Sequence, residues 1–437
     1  MNLSPKQKIR NQISSLVKKY SNIEFKKRKF VPGKTTIPPT GKVIGDMELQ
    51  NMVEASLDGW LTAGRFNKAF EKKLSNFIGI KQLITVNSGS SANLVAFSTL
   101  TSPKLKERAI KPMDEVITVA AGFPTTINPI VQFGAIPVFV DVKIPTYNID
   151  ETLIEEAITP KTKAIMLAHT LGNPFNLKVV KNICEKYNLW LIEDSCDALG
   201  STYDGKMVGT FGDLATLSFY PAHHITMGEG GAVFTNSIKL KMIAQSFRDW
   251  GRDCYCEPGQ ENTCGKRFDW KLGEMPKGYD HKYIYSHAGY NLKITDMQAA
   301  CGLAQMSRVK DFIKSRRNNF KYIYKSLESH EEFLTLPKAT ENSNPSWFGF
   351  PITLKDNLPI DRNQLLRYLD KKKIGFRLLF SGNVTKQPYM LEKNFRIVGN
   401  LKNTSTIMNN TFWIGLYPGL AHKQLDFVTD SIKEFIN

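Results

Sequence analysis

At 437 residues the chain can bury a substantial core, so it needs neither disulfides nor a metal merely to fold, and one large domain with a smaller companion is expected. Lysine and arginine (58) exceed aspartate and glutamate (41) by 17, which suits a polyanionic substrate, an acidic protein partner or nucleic acid without choosing among them. The lysine-rich start is unlike a secretory leader, and no stretch approaches the roughly 18 to 20 apolar residues of a spanning helix. A cytoplasmic protein with reduced thiols is therefore expected, and its six cysteines read as metal ligands or buried fillers rather than disulfides.

Residues 1–45 are basic, carry Pro32, Pro38 and Pro39, and read as an extension outside the main core. From Asp46 the pattern becomes regular, with helical spacing in Met47 to Leu57 and Phe66 to Phe77, an apolar run at Leu83 to Val86, and a helix over Ser91 to Leu100. Short apolar runs recur at Glu115 to Val119, Ile136 to Val140, Ala164 to Ala168, Leu189 to Ile192, Ala215 to Phe219 and Ala232 to Thr235. Helical patterns such as Asp150 to Ala157 and Leu177 to Tyr187 lie between them, an alternation that predicts βαβ units and a mainly parallel central sheet. Periodicity is lost at about 249–290, where Gly, Pro, Lys, Asp and three cysteines accumulate, so an irregular and functional excursion is expected there. Helical spacing resumes over Thr295 to Leu327. The expected division is a large ligand-binding α/β domain over 46–330, which includes that excursion, and a small α+β domain over 331–437.

Three pieces carry chemistry. Val86-Asn87-Ser88-Gly89-Ser90-Ser91-Ala92 follows a strand and opens a helix, where free N–H groups and the helix dipole can hold a phosphate, although an ordinary helix cap has the same sequence. Glu193 and Asp194 end an apolar strand, where ligands of open α/β sheets gather. Leu217-Ser218-Phe219-Tyr220-Pro221-Ala222-His223-His224 is followed by the glycine-rich Gly228 to Gly231. Taken singly, each has a structural explanation.

Together and in this order, with Trp60 to Gly64, Asp141-Val142, Gly289-Tyr290-Asn291 and Thr295 to Ala300, they resemble the DegT/StrS sugar-nucleotide aminotransferases, which are fold-type I pyridoxal-phosphate enzymes. The resemblance implies that Gly89, Ser90 and Ser218 hold the cofactor phosphate, that Phe123 stacks on its ring, and that Asp194 pairs with the ring nitrogen. It also implies a homodimer with shared active sites, because Asn291 matches a residue that reaches the neighbouring subunit's phosphate. Five residues after Ser218, where the family keeps its cofactor-bonding lysine, this chain has His223. Imidazole cannot form that Schiff base but, with an ordinary pKa of about 6.5, it can move protons near neutrality. Similar proteins with this replacement are sugar 3-dehydratases that use pyridoxamine phosphate. His224 is the rival for the role, and the spacing favours His223.

Cys196, Cys254, Cys256 and Cys264 are spaced C-x57-C-x-C-x7-C. Four thiolates suit a 2Fe-2S cluster, although this is neither familiar ferredoxin spacing, and a zinc site normally shows C-x-x-C pairs. Cys184 and Cys301 fall in predicted helices as packing residues. Within the family the spacing is similar to that of the iron-sulfur 3-dehydratases. That implies a CDP-4-keto-6-deoxyglucose substrate losing its carbon 3 hydroxyl, and a separate NADH-dependent flavin iron-sulfur reductase as electron donor. The products of such a step feed dideoxysugar and lipopolysaccharide O-antigen synthesis. Arg377 and the Ser381-Gly382-Asn383 turn are expected sugar-nucleotide contacts. The alternatives are a cluster-free dehydratase acting on GDP-4-keto-6-deoxymannose and a sugar aminotransferase with a rewired base. A nucleic-acid role is disfavoured by retention of the phosphate, pyridine and base positions together.

Overall fold

The computed structural model describes residues 3–26, 29–256, 258–356 and 358–436. Its centre is an eight-stranded sheet built from β1 (Gln82–Val86), β2 (Glu115–Val119), β3 (Ile136–Val140), β4 (Thr162–Ala168), β5 (Trp190–Asp194), β6 (Leu214–Ser218), β7 (Gly231–Thr235) and β8 (Arg396–Ile397). The order across it is β1-β7-β6-β5-β4-β2-β3-β8. β7 pairs antiparallel with both β1 and β6 and every other pairing is parallel, so the sheet is mainly parallel as the alternation predicts. Both faces are covered. Successive residues of β2 alternate between them: Ile117 packs with Val138 and Leu167, and Val116 with Ala164 and Trp190.

A second, four-stranded antiparallel sheet holds Leu334–Thr335, Gly349–Leu354, Thr411–Gly415 and Phe376–Leu378. Its core is Phe350, Ile352, Phe412 and Ile414 with Leu365 and Leu369 of helix Arg362–Lys371. The two sheets are stitched together, because β8 pairs with β3 and strand Ser343–Asn344 pairs with Thr202–Tyr203.

The basic N-terminal segment is more ordered than its composition implies. Ser4 caps a helix over Pro5–Glu24, whose Arg10 pairs with Glu54 and Asp58. Downstream, the Ile37 side chain is buried in the small-sheet core, and its main chain bonds to Lys373 and Gly375 at 2.9 and 2.8 Å. Lys27 and Arg28 lie outside the described residues.

Two expected helices differ in detail. The span from Asp150 to Ala157 forms a 3-10 turn (Glu151–Leu153) and a four-residue helix (Ile154–Ala157), since Asp150 turns its side chain onto Thr152. The span from Thr295 to Leu327 is two helices, Asp296–Gln305 and Val309–Leu327, separated where Arg308 leaves helical geometry. The excursion at 249–290 is irregular: among its described residues the regular features are a 3-10 turn (His281–Tyr283) and single bridges from Asp249 to Asn291 and Arg252 to Tyr285. No helix among the described residues is long and apolar enough to cross a membrane.

Candidate active site

The carboxyl ends of β5 and β6, the start of helix Gly89–Leu100 and the edge of the small sheet enclose a cavity of about 580 Å³. Gly89, Ser90, Phe123, Asp194, Ser218 and His223 all line it, with Cys196, Asp197, His169, Tyr220, Phe348, Arg377 and Thr40. Six of the seven residues expected to serve cofactor and proton chemistry therefore face one space. The seventh, Asn291, is exposed beside the excursion and accepts a hydrogen bond from Lys293 at 2.7 Å.

The phosphate cradle depends on close approach. Ser88 caps the helix by accepting from the Ser91 N–H at 3.0 Å, which leaves the first turn's remaining N–H groups facing the cavity. A Cβ at Gly89 would meet Ser218 Oγ at 2.7 Å, and one at Gly231 would stand 2.9 Å from the Gly89 nitrogen. Only glycines let the helix start settle onto the ends of β6 and β7.

Strand alternation sends the two acids of β5 to opposite faces. Glu193 turns into the interior, where its carboxylate accepts from the N–H groups of Gly209, Phe211 and Gly212 at 2.7, 2.9 and 2.6 Å and from His169 at 3.0 Å. Asp194 faces the cavity. Its Oδ2 accepts from Asn93 Nδ2 at 2.8 Å and Thr126 Oγ1 at 2.6 Å, and its Oδ1 from the Cys196 N–H at 3.1 Å. These donors orient the carboxylate toward the cavity, where a ring nitrogen could meet it. With the glycine cradle, this set fits the pyridoxal-type cofactor that the sequence implies.

The adjacent histidines separate. His224 is buried, and its Nε2 lies 2.7 Å from the carbonyl of Ser346, so that nitrogen carries the proton. Burial and the nearby Arg316 charge hold His224 well below the usual imidazole range. His223 faces the cavity, its side chain 15% exposed, with Nδ1 3.3 Å from Asp197 Oδ1, at ion-pair range but without an aligned hydrogen bond. Burial pushes the Asp197 carboxyl above its ordinary value, and His223 works against that shift. Asp197 escapes sequence reading because it carries no motif; its position three residues beyond Asp194, in the turn leaving β5, was the available signal. Asn93, Thr126, Thr40 and Phe348 were equally invisible.

The cysteines divide. Cys196 is a cavity wall, and burial followed by the Asp194 charge pushes its thiol well up. Cys254, Cys256 and Cys264 lie in the excursion, where Cys254 lines a different cavity with Tyr255, Trp270 and Lys104, and Cys264 Sγ is 3.8 Å from His281 Nε2. Among the described residues no group of three or more His, Cys, Asp or Glu side chains is disposed to hold a metal. Cys196, just past the end of β5, stands at the wall of one cavity and Cys254 lines another, in the loop that also carries Cys256 and Cys264. Cys184 and Cys301 are buried helix residues with thiols pushed up to about 12. In the Ser381 to Asn383 turn, Ser381 Oγ donates to the Gly122 carbonyl at 2.6 Å, and buried Asn383 accepts from Thr385. Arg377 does reach the cavity.

Residues 43–433 match the DegT/DnrJ/EryC1/StrS aminotransferase family. The chain belongs to this family. Among curated members, it is 66% identical over 98% of both chains to lipopolysaccharide biosynthesis protein RfbH of Salmonella typhimurium. It is also 51% identical to the dTDP-4-dehydro-2,6-dideoxy-D-glucose 3-dehydratase of Saccharopolyspora spinosa, over 93% of this chain and 88% of that one. Among solved members, GDP-4-keto-6-deoxymannose-3-dehydratase from E. coli with bound hydrated PLP superposes with TM-score 0.81 and 28% identity, covering 90% of this chain and 98% of that one. A histidine-to-asparagine mutant of GDP-4-keto-6-deoxymannose-3-dehydratase, bound to GDP-perosamine, gives 0.82 at 27% identity, covering 90% and 99%. The fold is accordingly that of the fold-type I aminotransferases, an α/β core with a smaller α+β portion.

Proposed function

We propose that this chain is a sugar-nucleotide 3-dehydratase that holds pyridoxamine phosphate without a covalent bond and uses His223 as its proton-transferring group. One observation carries the reading: among the described residues lining the cavity that holds Asp194 and Ser218 there is no lysine, and the His223 imidazole is part of that lining. When bound, pyridoxamine phosphate supplies an amine that condenses with a ketone and a ring that draws electrons from the adjacent carbon. The helix start at Gly89 and Ser90, with the Ser218 hydroxyl, binds its phosphate. Asp194, oriented by Asn93, Thr126 and the Cys196 N–H, would pair with the ring nitrogen. Phe123 covers the ring at the mouth. Asp197 takes the Nδ1 side of His223, which leaves Nε2 to accept a proton from the cofactor methylene and return one later. Arg377 meets the diphosphate of the nucleotide, in a partnership that the basic balance favours.

The finer reading takes CDP-4-keto-6-deoxyglucose as substrate and removes its carbon 3 hydroxyl, with a cytoplasmic homodimer in which Asn291 serves the neighbouring site. It also places a 2Fe-2S cluster on Cys196, Cys254, Cys256 and Cys264, fed by a separate NADH-dependent flavin iron-sulfur reductase. The cluster rests on the C-x57-C-x-C-x7-C spacing of the four cysteines. About two irons and two sulfides per chain in anaerobically purified protein support it. Their absence leaves the cluster-free dehydratase.

The deciding experiment is anaerobic incubation with pyridoxamine phosphate, the CDP-sugar and a competent reductase, followed by mass analysis for loss of the carbon 3 oxygen. His223→Asn should lower that loss by about 100-fold or more while cofactor affinity is kept. Normal turnover by the variant removes His223 from its role.

A further inference from the structure

Arg316, midway along helix Val309–Leu327, is the largest fully buried side chain among the described residues. Its hydrogen bonds go to four main-chain carbonyls. Nη1 donates to Trp347 at 3.3 Å and Phe348 at 2.9 Å, and Nη2 donates to Ala222 at 3.3 Å and His223 at 3.4 Å. Nε has no partner. Burial pushes the guanidinium down to about 10, with Asp197 pulling the other way. A buried guanidinium whose hydrogen bonds go only to neutral carbonyls, with the Asp197 charge near but not bonded to it, recovers little of its lost hydration. Stability alone therefore does not explain it.

What the fork does is geometric. Its planar, fixed donors span two segments at once: the turn that carries His223 and the chain entering strand Gly349–Leu354, which a lysine's single ammonium could not do. The ring of Phe348 lies 5.7 Å from the guanidinium and 5.1 Å from the His223 imidazole. The next residue, His224, is tied to Ser346 in the same segment. The main chain on either side of the His223 side chain is thus fastened to the small sheet.

We propose that Arg316 is a positioning residue for His223: by gripping the carbonyls of Ala222 and His223 against those of Trp347 and Phe348, it fixes the imidazole with Nδ1 toward Asp197 and Nε2 toward the cavity. This rests on the reading of His223 given above, and the test separates the two. Long-range proton-nitrogen spectra of cofactor-free protein with nitrogen-15 histidine should show His223 in one tautomer, protonated at Nδ1. In Arg316→Lys the same signals should report both tautomers. Turnover should fall about 10- to 100-fold, with KM and pyridoxamine phosphate affinity within about twofold of wild type. A wild-type His223 that exchanges between tautomers overturns the proposal even if the variant fails to fold. So does an Arg316→Lys protein whose losses are confined to KM, cofactor affinity or melting temperature, with kcat and tautomer unchanged. His223→Asn assayed alongside isolates the other failure: if it turns over normally, the histidine's role falls whatever Arg316 does.

Discussion

The turn from Tyr220 to Thr226 gives two identical side chains opposite lives. His223 stays at the wall of the cavity, whereas His224 is driven into the seam between the sheets and kept neutral. Its folded pKa lies below the unfolded value of about 6.5. Above that pH both states are neutral, and His224 gives stability no pH dependence. Below it the unfolded chain takes up a proton that the folded chain refuses, so stability falls with pH at up to about 1.4 kcal/mol per unit from this group. Urea midpoints measured between pH 7.5 and 5.5 should decline more steeply for the wild type than for His224→Gln. Equal slopes would mean that the buried imidazole is not what titrates.

At the level of elements, the helix over Gly89–Leu100 is a binding device because its first residue lacks a Cβ. Gly89→Ala would push a methyl group against Ser218 and open the cradle, so pyridoxamine phosphate affinity should drop at least about tenfold in an absorbance titration, with helix content unchanged. Unaltered affinity would place the phosphate elsewhere. The elements most legible in the sequence were those buried on both sides. β2 and β3 coincide with apolar runs because nearly every side chain in them is inside. Strands of two residues, such as Lys206–Met207 or β8, are too short to show a period. They exist because tertiary contacts place them. The site was legible where backbone demands leave a mark, as at Gly89 and the end of β5. It was illegible where support comes from distant chain: nothing near Arg316 or Phe348 announces that they meet at His223.

On the scale of the whole molecule, the N-terminal segment works as a strap. Ile37 is locked into the small sheet, Thr40 lines the cavity, and the Val43 carbonyl accepts from Gln305 and Arg308 of the large portion. A segment that reads as a basic appendage is thus part of what holds the halves in register. Ile37→Ala should destabilise the protein by about 2–4 kcal/mol, visible as a lower urea midpoint. A change below about 0.5 kcal/mol, the scale of an ordinary surface substitution, would show that the strap is merely laid on.

β8 carries a consequence for synthesis. The sheet's last strand comes from residues 396–397, more than 250 positions after its neighbour β3. While the ribosome is still making the final third of the chain, the outer edge of β3 stands without its partner, a bare row of hydrogen-bonding groups able to recruit another nascent copy. Translation must therefore run nearly to its end before that flank is closed, and fragments released early would carry an adhesive border that the finished enzyme conceals.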